Sequence, residues 1–322
     1  MAGSRGQTGA YQESTEGMTE PLHILILSDG KPGHENQSYG LAEAIGRVRP
    51  VEISLIRLAG LKGPFSRMRH AWKELAKHSH PRLLLGAGHA VHPSLLALSR
   101  RTGAPSVVLM KPSLPSSFFD LCLVPEHDLE NHQPRANVIP TKGALNRVPP
   151  SPAARREGGL ILLGGPSGSH GWDGEAVISA LEAIVVGCPD QPWAITDSRR
   201  TPEGQLSAIA RRIPQFQIFP HTETGRDWLP SRLSSAAEVW VTEESISMIY
   251  EALSSGAKVG LLPVPSLKKA GRVARGIAKL AEAGYVTSFS RWSPATGLST
   301  PPDVLREADR CAAIVIEKFL ST

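Results

Sequence analysis

The densest run of chemically useful residues is Thr242-Glu243-Glu244-Ser245-Ile246-Ser247-Met248-Ile249-Tyr250-Glu251, which continues to Gly256. Residues 238–241 and 258–263 on either side read as strands, so the segment predicts a strand–helix–strand unit with a glycine stop. A helix start rich in hydroxyls presents unpaired N–H groups and partial positive charge, which suits a diphosphate. Thr242, Ser245 and Ser247 are the candidate phosphate contacts, and Thr242 is also a candidate helix cap. Glu251, about two turns into the helix, is spaced to accept hydrogen bonds from ribose hydroxyls. Together they point to a nucleotide-sugar site rather than a bare phosphate site. Taken alone, Glu251 reads better as a solvated helix carboxylate, and only its spacing from Ser245 and Ser247 favours ligand contact; Met248 and Ala252 read as core.

Two more turns carry similar chemistry. Gly164-Gly165-Pro166-Ser167-Gly168-Ser169-His170 follows a strand-like run. Glycines there let backbone approach a ligand closely, and successive N–H groups can form an anion nest. No Gly-Lys-Ser/Thr ends the loop, so it is not a nucleotide-triphosphate P-loop. Asp197-Ser198-Arg199-Arg200-Thr201-Pro202 puts two guanidinium groups and two hydroxyls before an expected helix start, with Pro202 at its first position. Either turn alone also fits an ordinary βα connection. In combination they nominate Gly164, Gly165, Ser167, Ser198, Arg199 and Arg200 as further contacts for a sugar donor.

The other rich turn lies near the start, at Ser28-Asp29-Gly30-Lys31-Pro32-Gly33-His34-Glu35. Histidine titrates near neutrality, so His34 is the natural general base for an incoming hydroxyl. Asp29 or Glu35 either orients it or is itself the base. Lys31 and Gly33 fall on the acceptor side of such a site. Gly86-Ala87-Gly88-His89-Ala90-Val91 resembles half of a dinucleotide fingerprint, but Val91 stands where the third glycine belongs. Gly88 and His89 are therefore read as a cleft loop, with no nicotinamide cofactor. His89 and His92 have no completing carboxylate or cysteine nearby, so no metal is expected.

These turns need strands to hold them. Short apolar runs at 23–27, 51–56, 82–85, 106–110, 121–124 and 137–139 alternate with helical patterns at about 36–47, 64–78 and 91–101. A proline-rich linker at 147–159 separates a second series, with strands at 160–163, 193–196, 216–219, 238–241 and 258–263 and helices at about 174–186, 202–212 and 271–283. Residues 303–320 repeat apolar positions at three and four, as a helix does. The expected organisation is a disordered tail at 1–20, a Rossmann-like acceptor domain at 21–146, the linker, a Rossmann-like nucleotide-sugar domain at 160–300, and a terminal helix at 301–322. The fold class is α/β, two Rossmann-like domains facing a cleft with ligand at the carboxyl ends of the strands.

Bulk properties narrow the setting. The chain has 322 residues, 41% hydrophobic and 20% charged, which fits two globular domains. No apolar run is long enough to span a bilayer. A net charge of +5 permits anionic ligands or lipid surfaces. Few aromatics and no dense Lys/Arg stripe argue against nucleic acid. Residues 65–75 mix basic and bulky apolar side chains; a surface helix with its apolar side in the core is favoured over one lying on an anionic membrane. Cys122, Cys188 and Cys311 form no C-x-x-C pair and read as reduced thiols of a cytoplasmic protein. The first 20 residues lack a secretory apolar stretch, and Met18 offers a second translation start.

Ser28-Asp29-Gly30-Lys31-Pro32-Gly33-His34-Glu35-Asn36-Gln37 resembles the opening signature of the mitochondrial-fission ELM family and its bacterial relatives. Gly164-Gly165-Pro166 with Trp172-Asp173, Ser198 to Pro202, and Ser245-Ile246-Ser247-Met248 with Glu251-Ala252 continue the pattern over about residues 22–320. The resemblance implies a metal-independent glycosyltransferase of the GT-B type, with no cofactor, that takes a nucleotide-diphosphate sugar to a hydroxyl acceptor, such as a cell-envelope glycan or lipid. It implies donor contacts at Ser245 and Glu251, His34 near the acceptor, and a terminal helix packed back on the first domain. A hydrolysing nucleotide-sugar epimerase and a non-catalytic membrane adaptor are the rival expectations. Two positions depart from the family. Glu243-Glu244 replaces a usual Ala-Asp pair, and Asp227-Trp228-Leu229-Pro230 replaces a usual Asn-Pro-Tyr element.

Overall fold

The computed structural model describes residues 20–129, 135–151, 156–267 and 272–321. The expected N-terminal tail up to residue 19, with both candidate start methionines, lies outside them, as does part of the expected linker. The first domain holds β1 (Leu22–Ser28), α1 (Pro32–Gly46), β2 (Val51–Arg57), α2 (Pro64–Leu75), β3 (Leu83–Ala87), α3 (His92–Thr102), β4 (Ser106–Leu109), β5 (Leu121–Pro125) and β6 (Val138–Thr141). All six strands are parallel, in the order β2-β1-β3-β4-β5-β6. Every residue of β1 is buried, as a central parallel strand covered on both faces requires. Ile24 and Ile26 pack on one face with Leu41 and Ile45 of α1, while Leu25 and Leu27 pack on the other with Leu95 and Leu98 of α3.

The second domain repeats the plan. It holds β7 (Gly159–Leu162), α4 (Gly174–Gly187), β8 (Trp193–Thr196), α5 (Gln205–Arg212), β9 (Gln217–Phe219), α6 (Trp228–Ser235), β10 (Glu238–Thr242), α7 (Ile246–Ser255), β11 (Lys258–Leu262), α8 (Arg272–Glu282) and β12 (Val286–Ser288). Its sheet is again six parallel strands, ordered β12-β11-β10-β7-β8-β9. The α/β architecture of two Rossmann-like halves is thus the observed one.

The chain crosses between the halves twice. Leu145 belongs to the core of the first sheet and Val148 to that of the second; later, Leu305 belongs to the second and Ala308 to the first. The last helix, α9 (Glu307–Val315), therefore lies on α1, with Cys311, Ala312 and Val315 beside Leu41 and Ile45. Arg47 reaches Asp309 at 2.5 Å to tie the two helices at the surface.

Several boundaries differ from the sequence reading. α1 begins at Pro32 rather than about residue 36, because Pro32 takes the first helical position after an extended Lys31. His34 and Glu35 therefore sit in the first turn of a helix, not in a loop. The Pro202 helix start is overturned. Gly204 adopts φ +80°, which interrupts helical geometry, and α5 starts at Gln205. The terminal helix starts at Glu307, not near 303, and ends in a wider π turn at Ile316–Leu320. The short elements α6 and β12 had no expectation attached.

Candidate functional site

In an open parallel sheet, ligand crevices form where neighbouring connections leave in opposite directions. The first sheet reverses between β1 and β3, so the turns after Ser28 and after Ala87 flank its crevice. Asp29, His34 and Gly88 meet there. His34 Nδ1 lies 3.1 and 3.0 Å from the two carboxylate oxygens of Asp29, and Asp29 is only 6% exposed. A carboxylate held against Nδ1 fixes the proton on that nitrogen and leaves the Nε2 lone pair free to accept a proton. Gly88, at φ +84°, packs against the imidazole and Asp29, and a Cβ there would collide with the ring. Glu35 takes a different role. It accepts from Ser28 Oγ at 2.5 Å, and that same Oγ accepts from Gly30 N at 2.9 Å. Glu35 thus orders the turn, while Asp29 orients the histidine. Lys31 is exposed, with Nζ 3.8 Å from Asp29.

The second sheet reverses between β7 and β10. Here the structure corrects the role expected of the glycine-rich turn. Gly164 N donates to Thr242 Oγ1 at 2.8 Å, and Gly165 N donates to Glu244 Oε1 at 2.7 Å. Ser198 Oγ donates to Gly164 O at 2.9 Å, and Arg200 Nη1 to Gly165 O at 3.0 Å. Ser167 Oγ accepts from the backbone of Ser169 and His170. The glycines are there because the protein's own turns approach them. A Cβ on Gly164 would meet Glu244, and one on Gly165 would meet the Arg200 backbone. The Gly164 and Gly165 N–H groups thus have internal acceptors, and Gly164, Gly165, Ser167, Ser198 and Thr242 tie the turns to one another instead of presenting those N–H groups to an anion. Thr242 is wholly buried at the end of β10, so it neither caps α7 nor reaches the cleft.

The Glu243-Glu244 pair has a physical account in this network. Glu243 Oε1 accepts from Val264 N at 3.2 Å, which holds the turn after β11. Glu244 holds the turn after β7. Its side chain is fully buried, and burial raises its pKa against the lowering effect of the Gly165 N–H, the Thr242 hydroxyl and Arg200. Its second oxygen, Oε2, has no partner among the described residues.

α7 faces the cleft with Ser247, Met248 and Glu251, while Ser245 is buried. Ser245 stands at its cap position with no side-chain cap bond and lies 3.5 Å from Arg200 Nη2. Ser247 is exposed on the first turn, and Arg199 is exposed nearby. Between α7 and α1 lies a cavity of about 440 Å³, lined by Gly33, His34, Asn36, Ser247, Met248 and Glu251 among others. Gly33 and His34 of one domain and Ser247 and Glu251 of the other therefore share one chamber. His89 is exposed but does not line the cavity, and His92 is buried. Burial, and then the charge of His89, pushes His92 down to about 4, and it binds Ser113 Oγ at 3.1 Å. No group of three or more metal-ligating side chains occurs among the described residues.

Across the cavity Asn36 Nδ2 donates to Glu251 Oε1 at 2.5 Å. Burial pushes the Glu251 carboxyl up to about 7, partly offset by that hydrogen bond. Farther along the same face of α1, Tyr39 carries the Arg226 guanidinium 3.5 Å above its ring. Arg147 of the linker bridges Glu43 of α1 and Asp227 of the second domain, each at 2.6 Å. The sequence assigned none of these residues an interdomain role, although Asn36 sits in the opening motif and Asp227 in the element that departs from the family.

The match to a known family covers most of this assembly, from His34 on α1 to Glu251 on α7, though it starts after Asp29. The family model described as mitochondrial fission ELM1 matches residues 32–319. The chain belongs to that family. An uncharacterised protein of Rickettsia prowazekii, RP120, is 21% identical, with 76% of this chain and 84% of that protein covered. Among solved structures, a putative UDP-N-acetylglucosamine 2-epimerase from Listeria monocytogenes superposes with TM-score 0.57 at 10% identity, covering 94% and 98% of the two chains. The UDP-GlcNAc 2-epimerase from Neisseria meningitidis, bound to UDP-GlcNAc, superposes with TM-score 0.51 at 11% identity, covering 94% and 100%. At such identities the likeness is one of fold, the two-domain GT-B arrangement.

The ELM1-family chain has no helix, among its described residues, long and apolar enough to cross a membrane. Its α2 leaves Phe65 79% and Trp72 47% exposed, so the apolar side expected to enter the core lies partly in solvent. Cys122, Cys188 and Cys311 are free thiols, and burial pushes Cys122 and Cys311 up to about 12.

Proposed function

We propose that this protein is a glycosyltransferase that moves a sugar from a nucleotide diphosphate to a hydroxyl acceptor. The observation carrying the reading is the shared chamber, with Asp29–His34 on one wall and the α7 N-terminus with Glu251 on the other. In this reading Glu251 accepts from ribose hydroxyls, taking over from Asn36. The N–H groups of the first turn of α7, with Ser245 and Ser247, hold the diphosphate, and Arg199 and Arg200 add positive charge. The acceptor oxygen attacks the anomeric carbon as the bond from that carbon to the diphosphate oxygen breaks. The acceptor proton passes to His34 Nε2, and the electron pair leaves with the nucleoside diphosphate. Charge growing on the leaving oxygen is met by the α7 terminus. Every group in this step is a side chain or backbone amide of the chain, and no cofactor or metal takes part in it.

The test is a binding and turnover pair. UDP and its relatives should bind to the wild type and equally to His34→Ala, while His34→Ala lowers turnover by about 10²- to 10⁴-fold. Absence of binding to every nucleoside diphosphate in a panel would remove the reading.

Epimerisation on the same fold is the second reading, favoured by the superposition on two UDP-GlcNAc 2-epimerases. Consumption of the sugar nucleotide with no acceptor present would select it. The exposed Phe65 and Trp72, beside Arg69 and Lys73 on α2, support transient contact with an anionic lipid surface. Failure to float with phosphatidylglycerol vesicles at low salt would remove that contact.

A further inference from the structure

A second cavity, of about 280 Å³, opens on another side of α7. Ser247, Met248 and Glu251 line the first chamber, and Tyr250 lines this one. Its walls come from both domains. Lys142 and Gly143 follow β6, Glu126 and His127 follow β5, Lys279 and Leu280 belong to α8, and Ala283 follows it. Nothing in the sequence reading nominated these residues.

Its chemistry is distinctive in charge. Lys142 and Lys279 are exposed, and neither ammonium has a hydrogen bond or an ion pair among the described residues. Arg275 adds a third cation to the wall, against the single carboxylate of Glu126. Tyr250 is half-buried, and its hydroxyl has no hydrogen-bond partner among the described residues. Burial, and then the charges of Glu126 and Glu307, raises the Tyr250 phenol above its ordinary value, so it stays a neutral O–H that can donate. The remaining wall is apolar, with Leu280, Leu305 and the rings of Tyr250 and Tyr285. Gly143 is required there, because a Cβ at that residue would strike the Tyr250 ring. Unpaired ammonium groups and a neutral hydroxyl above an apolar wall match a ligand with an anionic head and an apolar body.

We infer that this cavity is a subsite for a phosphate ester of an apolar alcohol, held at its phosphate by Lys142, Lys279 and Tyr250. Phosphate is favoured over a carboxylate because two ammonium groups and a hydroxyl, from three separate stretches of chain, line the same cavity. Under the transfer reading this ester anchors the acceptor, whose reacting hydroxyl is carried on a further group joined to the same phosphate and enters the sugar-nucleotide chamber. Only the word acceptor rests on that reading; the binding does not.

The experiment uses the full chain and three probes, geranyl phosphate, geraniol and inorganic phosphate, followed by calorimetry, with UDP titrated separately. Geranyl phosphate should bind, and geraniol and inorganic phosphate should each bind at least tenfold more weakly. Lys142→Ala/Lys279→Ala should weaken geranyl phosphate at least tenfold, and Lys142→Arg/Lys279→Arg should largely restore it, with UDP affinity unchanged in both. Tyr250→Phe should weaken it less, by a few-fold. Both lysines are solvent-exposed and unpaired, so their replacement leaves packing intact. No binding of geranyl phosphate, equal binding of geraniol, or equal binding of inorganic phosphate overturns the assignment. Undiminished binding by the double alanine variant also overturns it. UDP binding without geranyl phosphate binding sinks the subsite and spares the transfer reading; the reverse result does the opposite.

Discussion

Glu251→Gln isolates a single carboxyl whose environment depends on both domains. In the folded protein the group titrates at about 7, against an ordinary value of 4.5, and burial is the main cause. The folded state therefore holds the proton more tightly than the unfolded chain. Such a group contributes its full stability below pH 4.5, and that contribution is lost as pH rises through about 7. At about 1.4 kcal/mol per pH unit, the gap between the two values corresponds to about 3 kcal/mol. Glutamine is isosteric, always neutral, and keeps an oxygen for Asn36. Wild type and Glu251→Gln should thus differ by less than about 1 kcal/mol at pH 5. The variant should gain progressively above that, reaching an advantage of up to about 3 kcal/mol at pH 8. Urea unfolding of both proteins from pH 5 to pH 8, read by tryptophan fluorescence, gives the difference directly. Parallel curves across that range, or a variant less stable at pH 8, would refute the buried environment assigned to this carboxyl. The same substitution should weaken UDP binding about tenfold at pH 8, because the ribose hydroxyls lose an ionised acceptor.

Gly88→Ala should lower turnover at least tenfold while leaving UDP affinity intact, because the added methyl displaces His34 from Asp29; an unchanged rate in a steady-state assay would contradict the packing. Thr242→Val strips the acceptor from Gly164 N and should destabilise the second domain by about 1–3 kcal/mol in chemical unfolding. Arg147→Ala breaks the bridge between Glu43 and Asp227, and small-angle scattering should record a larger radius of gyration in the variant than in the wild type.

The two α/β halves were legible because buried parallel strands appear as uninterrupted apolar runs, such as residues 23–27 and 160–163. The candidate turns were legible because glycine, hydroxyl and charged residues cluster where strands end. What the turns do was much less so. Gly164 and Thr242 are 78 positions apart, and only the strand order sets one against the other. Their types suit a phosphate and an internal clamp equally well, and the choice depends on distances that sequence spacing does not carry. Asn36, Tyr39 and Glu43 follow a helical spacing, but that spacing does not reveal that a second domain lies against them. The cationic cavity draws on loops and a helix more than 120 positions apart, so no local pattern announces it.

α1 has a consequence for motion. Its first turn carries His34, and the face beyond it carries Asn36, Tyr39 and Glu43 into contact with the second domain or the linker. One rigid rod therefore bears the base at its tip and the bearing surface along its length. A hinge movement that parts Tyr39 from Arg226 must also swing the imidazole away from α7, so the histidine is geometrically competent only while the two halves stay in register.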